Sequence, residues 1–94
     1  MMLIWTKRAI DDLIAIADTI NAINPQAAVS VRNKIRQSVE RLPEFPLSGR
    51  AGRVAGTREL VVSGLPYIIP YRVRDGRIEI LAVFHAARQW PDAL

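Results

Sequence analysis

Hydrophobic and polar residues alternate along residues 67–85, and an Asp-Gly pair divides the stretch into two runs. Glycine readily takes the positive φ of a tight hairpin turn, so the pattern predicts two antiparallel strands joined at Asp75-Gly76. Residues that lie opposite each other in such a hairpin share one face of the sheet. The predicted apolar pairs are Val73–Ile78, Tyr71–Ile80, Ile69–Ala82 and Tyr67–Phe84.

The opposite face of the predicted hairpin becomes basic towards the turn. Arg74 and Arg77 flank the turn, and Arg72 lies opposite Glu79. Pro70 belongs to the same face, but proline has no N–H to contribute to a strand ladder. We therefore expect a bulge or an unpaired position beside it.

A helical period predicts an amphipathic helix in the first part of the chain. Thr6 is a suitable N-cap, because its hydroxyl can accept a hydrogen bond from the free N–H groups of the first turn. From Lys7 onwards apolar residues recur every three or four positions. The predicted buried face consists of Ile10, Leu13, Ile14, Ala17, Ile20 and Ala22 or Ile23.

A second helix starts at Asn24-Pro25, which combines a good N-cap with a proline suited to the first helical position. The helix is predicted to end at Pro43. Because the link between the two helices is so short, we expect an antiparallel helical hairpin. The predicted buried face of the second helix consists of Ala28, Val31, Ile35, Val39 and Leu42.

Two further strands are predicted at residues 2–5 and 58–62, and residues 44–57 are predicted to form a loop rich in proline, glycine and alanine. Arg50 and Arg53 flank glycines in this loop, which we interpret as a flexible connection over the core. The predicted order is β-α-α-β-β-β in a single domain, residues 1–94. The fold class is α+β, with the N-terminal helical hairpin packed on one face of a mainly antiparallel sheet.

Composition limits the possible chemistry. The chain has no cysteine and one histidine, which argues against disulfides and a metal site. Its apolar runs are too short to span a bilayer and its N-terminus does not look like a signal peptide, so we expect a cytoplasmic protein without a membrane partner. The net charge of +4 and pI near 10.3 favour an acidic partner, either nucleic acid or protein.

This arrangement of residues resembles the ParE/RelE superfamily of bacterial toxins from type II toxin–antitoxin modules. The similarity extends over nearly the whole chain, and its specificity comes from the combination of motifs. They are Trp5-x-x-x-Ala9-x-x-Asp12-Leu13-x-x-Ile16, Asn24-Pro25-x-Ala27-Ala28, Pro46-x-x-Gly49-Arg50, Gly56-Thr57-Arg58-Glu59-Leu60-Val61-Val62, Pro66-Tyr67-Ile68-Ile69-Pro70-Tyr71-Arg72-Val73 and Ile80-Leu81-x-Val83-x-His85-x-x-Arg88-Gln89-Trp90-Pro91.

The resemblance implies one of two activities. RelE-like members cleave messenger RNA on the ribosome, whereas ParE-like members inhibit DNA gyrase. RelE-like enzymes carry an arginine where this chain has Ile68. They also carry a basic cluster after the last strand and a tyrosine or histidine near the C-terminus, whereas residues 86–94 contain no tyrosine. These differences favour the ParE-like branch and a non-enzymatic inhibitor.

A metal-independent endoribonuclease remains the alternative. RNA cleavage needs a proton acceptor, a proton donor and cations around the phosphate. His85 ends a strand on the face predicted for Arg72, and histidine titrates near neutrality. The candidate catalytic set is His85, Arg72, Arg88, Arg58 and Arg50, and a purely regulatory binding module is a third possibility.

For the ParE-like interpretation, the expected target-binding residues are Arg72, Arg74, Arg77, Arg88 and Trp90. A cognate antitoxin is expected to wrap the toxin with a segment that folds on binding, using the helical hairpin and the sheet edge. The partners are then this antitoxin and DNA gyrase, or the ribosome and mRNA in the alternative. Operator DNA would be contacted only through the antitoxin, and no cofactor is implied.

Overall fold

The computed structural model describes residues 1–87 as two helices packed on one face of a six-stranded sheet. The strands are β1 (Met2–Trp5), β2 (Arg50–Ala51), β3 (Arg58–Val61), β4 (Tyr67–Arg74), β5 (Arg77–Ile80) and β6 (Phe84–His85), and the helices are α1 (Lys7–Asn21) and α2 (Pro25–Glu40). The sheet order is β1-β5-β4-β3-β2, and β6 pairs with β4. Among these strands of residues 1–87, β1 and β5 form the one parallel pair. The predicted α+β class and mainly antiparallel sheet are confirmed.

Both helices begin at the predicted caps. The Thr6 hydroxyl accepts a hydrogen bond from the Ala9 N–H at 3.2 Å and donates one to the carbonyl of Ile80 at 2.7 Å, so it also ties α1 to the sheet. Asn24 Oδ1 accepts from the Ala27 N–H at 3.1 Å, directly before Pro25. In the described part of the chain, neither helix is long and apolar enough to cross a membrane.

The core lies between the helices and the sheet. As predicted, α2 buries Ile35 and Val39, and Leu42 is buried just beyond it; Tyr71 and Ile80 meet them from the sheet. The predicted buried face of α1 was partly wrong.

Helix α1 turns Ala9, Leu13 and Ile16 towards the sheet. Ile10, Ile14 and Ile23 are exposed instead, with 53% of Ile14 accessible to solvent. The apolar stripe of α1 is wider than the surface that the sheet can cover, so periodicity alone did not fix its rotation.

The hairpin turn forms at the predicted residues. Asp75 and Gly76 both have positive φ, 54° and 71°, as a two-residue hairpin loop requires. On either side of the turn, Tyr71 pairs with Ile80 and Val73 with Ile78, which confirms the predicted register near the turn.

The register changes beyond Ile80. Residues 81–83 interrupt the strand opposite Pro70, whose carbonyl accepts a hydrogen bond from the Leu81 N–H at 2.9 Å. After the interruption Tyr67 pairs with His85 and Ile68 with Phe84, so the predicted pair Tyr67–Phe84 is wrong by one residue. The predicted pair Ile69–Ala82 does not form, because Ala82 lies in the interruption. The interruption predicted at Pro70 is confirmed, and it causes the shift.

The segment predicted as a flexible loop is tied to the sheet. Arg50 and Ala51 form strand β2 beside β3, with Arg50 opposite Glu59. The Tyr71 hydroxyl donates to the Pro46 carbonyl and accepts from the Gly49 N–H, both at 2.9 Å. These two hydrogen bonds fix the beginning of the loop, which sequence composition did not reveal.

Candidate functional site

Three arginines and one glutamate lie at the turn end of the sheet face that points away from the helices. Because side chains alternate along a strand, Arg72 and Arg74 point away from the core that Tyr71 occupies. Arg72 pairs with Glu79, and Arg74 with Arg77. We call these four residues the arginine face, and the predicted Arg72–Glu79 pairing is confirmed.

Glu79 joins two of these arginines through a single oxygen. Its Oε1 accepts a hydrogen bond from Arg72 Nε at 2.6 Å and lies 3.0 Å from Arg74 Nε. The hydrogen bond from Arg72 is the main cause of a pKa of Glu79 below its usual value, and the charges of Arg72, Arg74 and Arg77 act in the same direction. Glu79 is therefore ionised at neutral pH, and one negative charge faces three positive ones.

The lowered pKa of Glu79 predicts a pH dependence of folding. A carboxyl group with a lower pKa in the folded state contributes stability that is fully present above its unfolded-state pKa, and this contribution disappears as the pH falls through the folded-state pKa. Between neutral pH and about pH 3.5, the wild-type chain should therefore lose more free energy of unfolding than Glu79→Gln. Urea denaturation at both pH values measures this difference. The exposed Glu44 provides the control Glu44→Gln, which should keep the wild-type slope; parallel curves for wild type and Glu79→Gln would contradict the prediction.

A groove of about 390 Å³ runs beside the arginine face. One wall is the turn of the loop at residues 54–57, and the other carries Arg72 and Arg74. Val54 and Leu81 add apolar surface. The groove thus combines two cations with an apolar lining.

Arg50 extends the positive surface to the sheet edge but is held by a buried acid. Only 3% of Glu59 is exposed, and its Oε1 accepts hydrogen bonds from Arg50 Nε and Nη2 at 3.2 and 3.1 Å. Glu59 Oε2 accepts from the Arg53 backbone N–H at 2.9 Å. Glu59 was not singled out from the sequence, where it is simply one acidic residue in a strand.

Arg58 lies on the other side of the sheet. It is the cross-strand partner of Tyr71, and its Nη1 donates to the carbonyls of Leu47 and Gly49 at 3.2 and 2.9 Å. Arg58 therefore holds the loop against the helix side of the sheet and does not join the arginine face.

His85 is also on the helix side, so the prediction that it shares a face with Arg72 is wrong. The register shift places it opposite Tyr67, with the two rings edge to face and their centroids 5.7 Å apart. Its Nδ1 accepts a hydrogen bond from the Ala87 N–H at 3.0 Å. Together with Arg8 and Ile16 of α1, His85 lines a cleft of about 220 Å³.

Asp12 fixes the segment that produces the register shift. Its Oδ2 accepts a hydrogen bond at 3.0 Å from the N–H of Val83, which lies outside the regular ladder. Arg8 approaches the same oxygen at 3.7 Å. The helical pattern marked Asp12 only as a polar position, and no signal in the sequence indicated its partner 71 residues away.

Removing the Asp12 carboxylate should destabilise the fold. Asp12→Ala leaves the part-buried Val83 N–H without its acceptor, so we expect a loss of about 1–3 kcal/mol in the free energy of unfolding. Asp12→Asn retains an acceptor oxygen and should lose less. Asp11 is exposed and pairs only with Lys7 among the described residues, so Asp11→Ala should change stability by less than about 0.5 kcal/mol. Chemical denaturation of the three variants tests this, and equal losses for Asp11→Ala and Asp12→Ala would contradict it.

The described residues of the candidate ribonuclease set do not converge. Arg72 and Arg50 lie on the outer face of the sheet, whereas Arg58 and His85 lie on the helix side. Arg88 and Trp90, which belong to the predicted sites, lie outside the described residues. Within residues 1–87 no group of acids and histidines could hold a metal ion. The arginine face is suited to binding an anionic group.

Comparison with known proteins gives consistent matches along the chain. Residues 3–90 match the family model described as the ParE toxin of the type II toxin–antitoxin system parDE. The chain is 50% identical over 91 residues to the putative toxin Y4kP of Sinorhizobium fredii, covering 96% of this chain and 93% of that protein. It is 42% identical over 85 residues to toxin RelE2 of Caulobacter vibrioides, covering 90% and 94%.

Solved structures show the same fold. A chain of the chromosomal ParDE toxin–antitoxin system from P. aeruginosa matches with a TM-score of 0.83 and 33% identity, over 90% of this chain and 95% of that one. The solution structure of the conserved hypothetical protein HP0894 from Helicobacter pylori matches with a TM-score of 0.55 over 90% and 93%. At 18% identity, the second match concerns the fold alone.

Proposed function

Because the chain belongs to the ParE toxin family of type II toxin–antitoxin systems, we propose that it inhibits DNA gyrase by binding to it in the cytoplasm. The arginine face is the observation that carries this proposal. It presents three arginines against one carboxylate, which suits an acidic surface of a protein target. Arg77 completes this surface, and we propose that Arg88 and Trp90, which lie outside the described residues, also contact the target.

The separation of the candidate catalytic residues supports binding without bond cleavage. A general base must reach the proton that it removes, within hydrogen-bond distance or through one water. Here His85 is on the helix side of the sheet, and Arg72 is on the other side. Arg58 is occupied by two loop carbonyls and Arg50 by Glu59. These contacts give Arg58 and Arg50 structural roles. We therefore do not propose a ribonuclease.

We also propose that a cognate antitoxin neutralises the toxin. Ile10 and Ile14 of α1 and Val29 of α2 expose apolar side chains on the helical hairpin. Such a surface suits a partner segment that folds as it binds. The solved relative from P. aeruginosa is part of a ParDE toxin–antitoxin system, which supports a partner of this kind.

A supercoiling assay tests the gyrase proposal. Purified toxin added to gyrase and relaxed plasmid should block supercoiling, and Arg72→Ala combined with Arg74→Ala should raise the inhibitory concentration about tenfold or more, because two cations leave the interface. The control Arg32→Ala with Lys34→Ala removes the same charge from the exposed side of α2 and should leave inhibition unchanged.

Two results would count against the proposal. Unchanged supercoiling at a large excess of wild-type toxin would exclude gyrase as the target. Codon-dependent cuts in messages from expressing cells, detected by primer extension and lost in His85→Ala, would establish the ribonuclease instead.

A further inference from the structure

We propose that the groove beside the arginine face receives a carboxylate from an acidic segment of the target, and that Glu79 positions Arg72 and Arg74 to hold it. This inference rests on the proposed binding of gyrase and specifies the chemistry of the contact. Glu79 is then a positioning residue, because it acts through the two arginines and does not meet the target itself.

The contacts of Glu79 leave the outer ends of both arginines available. Arg72 and Arg74 each approach Glu79 Oε1 through Nε. Within residues 1–87, no further hydrogen bond or ion pair engages their Nη1 and Nη2 groups. A guanidinium that is held by Nε can still offer its two Nη atoms as paired donors to a carboxylate. Glu79 thereby fixes the direction of both side chains.

Exposure shows which groups a partner would meet. Only 14% of the Glu79 side chain is accessible, whereas 52% of the Arg74 side chain is exposed. An approaching partner therefore contacts the guanidinium groups, and the carboxylate lies behind them. Holding long side chains in one geometry before binding reduces the conformational entropy that is lost on association.

The lining of the groove favours a protein segment over nucleic acid. Its residues are small or aliphatic apart from Thr57 and the two arginines, and none is aromatic. Single-stranded nucleic acid is usually held by stacking its bases on aromatic side chains. Val54 and Leu81 instead suit an aliphatic side chain beside the acidic one.

The substitution Glu79→Gln separates positioning from simple charge attraction. It removes a negative charge and so raises the net charge of +4 by one unit. If only total charge mattered, the variant would inhibit gyrase at least as well as the wild type. If Glu79 positions the arginines, the inhibitory concentration should rise about five- to tenfold. The control Glu44→Gln makes the same charge change away from the arginine face and should not weaken inhibition.

A double-mutant cycle identifies the route of the effect. In the Arg74→Ala background the second arginine is already absent, so Glu79→Gln should have a smaller effect than in the wild type. If the role of Glu79 is purely structural, Glu79→Gln raises the inhibitory concentration by the same factor in both backgrounds, and this result would overturn the proposal. Circular dichroism at the assay temperature confirms that each variant is folded.

The outcomes are distinct. A wild-type toxin that does not inhibit gyrase overturns this proposal together with the proposed function. A wild type that inhibits gyrase and a Glu79→Gln variant that is equally or more potent overturn this proposal alone. Binding of the isolated toxin to the plasmid without gyrase, abolished by Arg74→Ala, would identify a phosphate backbone as the occupant and also overturn it.

Discussion

Replacing Tyr71 by alanine is expected to lower the free energy of unfolding by about 3–5 kcal/mol, the range for removing a buried aromatic side chain. Tyr71 is fully buried among core residues of both helices and the sheet. Its hydroxyl also joins the Gly49 N–H to the Pro46 carbonyl, which anchors the loop. The substitution therefore leaves a cavity and removes the loop contact together. Urea denaturation followed by circular dichroism measures the loss.

The variant Tyr71→Phe divides this effect into two parts. It retains the ring and loses only the two hydrogen bonds of the hydroxyl, so we expect a loss of about 1–3 kcal/mol. The remainder of the alanine effect is due to packing. A loss below about 1 kcal/mol for Tyr71→Ala would contradict the assigned role of the ring in the core.

Gly49→Ala is expected to produce the second large effect. A Cβ at this position would lie 2.6 Å from Tyr71 Cε1 and 3.0 Å from the Glu59 carbonyl oxygen, so the ring or the strand must move. Crowding of this kind lowers stability by about 1–3 kcal/mol and would also disturb the hydrogen bond from the Gly49 N–H. Thermal or urea unfolding measures the loss, and the adjacent exposed Ser48 gives a control, because Ser48→Ala should remain within about 0.5 kcal/mol of wild type.

The two substitutions should be coupled. In the Tyr71→Ala background the ring is absent, so the methyl group added by Gly49→Ala has room and its effect should fall well below that in the wild type. Equal effects in both backgrounds would indicate that the glycine is required for the approach to Glu59 and not for the approach to Tyr71.

Local signals in the sequence predicted much of the fold. The hairpin turn follows from Asp75-Gly76, because only the conformational freedom of glycine and the tolerance of aspartate allow two successive positive φ values. The caps Thr6 and Asn24 define both helix starts through hydrogen bonds that span three residues. Such features depend on neighbours in the chain, so a pattern of residue types is sufficient to find them.

Features that depend on distant contacts were not predictable in the same way. The rotation of α1 about its axis depends on which of its apolar residues pack against the sheet. The apolar stripe of α1 is wide enough to fit more than one rotation. The Asp12–Val83 hydrogen bond and the Glu59–Arg50 pair each combine residues whose types are ordinary at their positions. The alternation of side chains along the strands predicted that the arginines of the arginine face share one side of the sheet. That Arg72 and Arg74 approach the same oxygen of Glu79 became visible only in the three-dimensional structure.

The candidate catalytic histidine was misplaced for one physical reason. Strand alternation from the turn put His85 beside Arg72, and the prediction assumed an uninterrupted ladder past Pro70. Because Pro70 lacks an N–H, the partner strand leaves the ladder at residues 81–83 and returns one position later. A single proline thus changed which residues could act together.

The break in the strand after Ile80 also decides which surface receives the histidine. Deleting one residue between Ile80 and Phe84 would restore a continuous count from the turn and would leave Tyr67 opposite His85 and Ile68 opposite Phe84, as they are now. With the present length, an uninterrupted ladder would instead put Phe84 opposite Tyr67 and turn His85 towards the face of the guanidinium groups. The single extra residue that the break absorbs therefore keeps the imidazole beside α1, and it separates the chemistry of the two surfaces of this small scaffold.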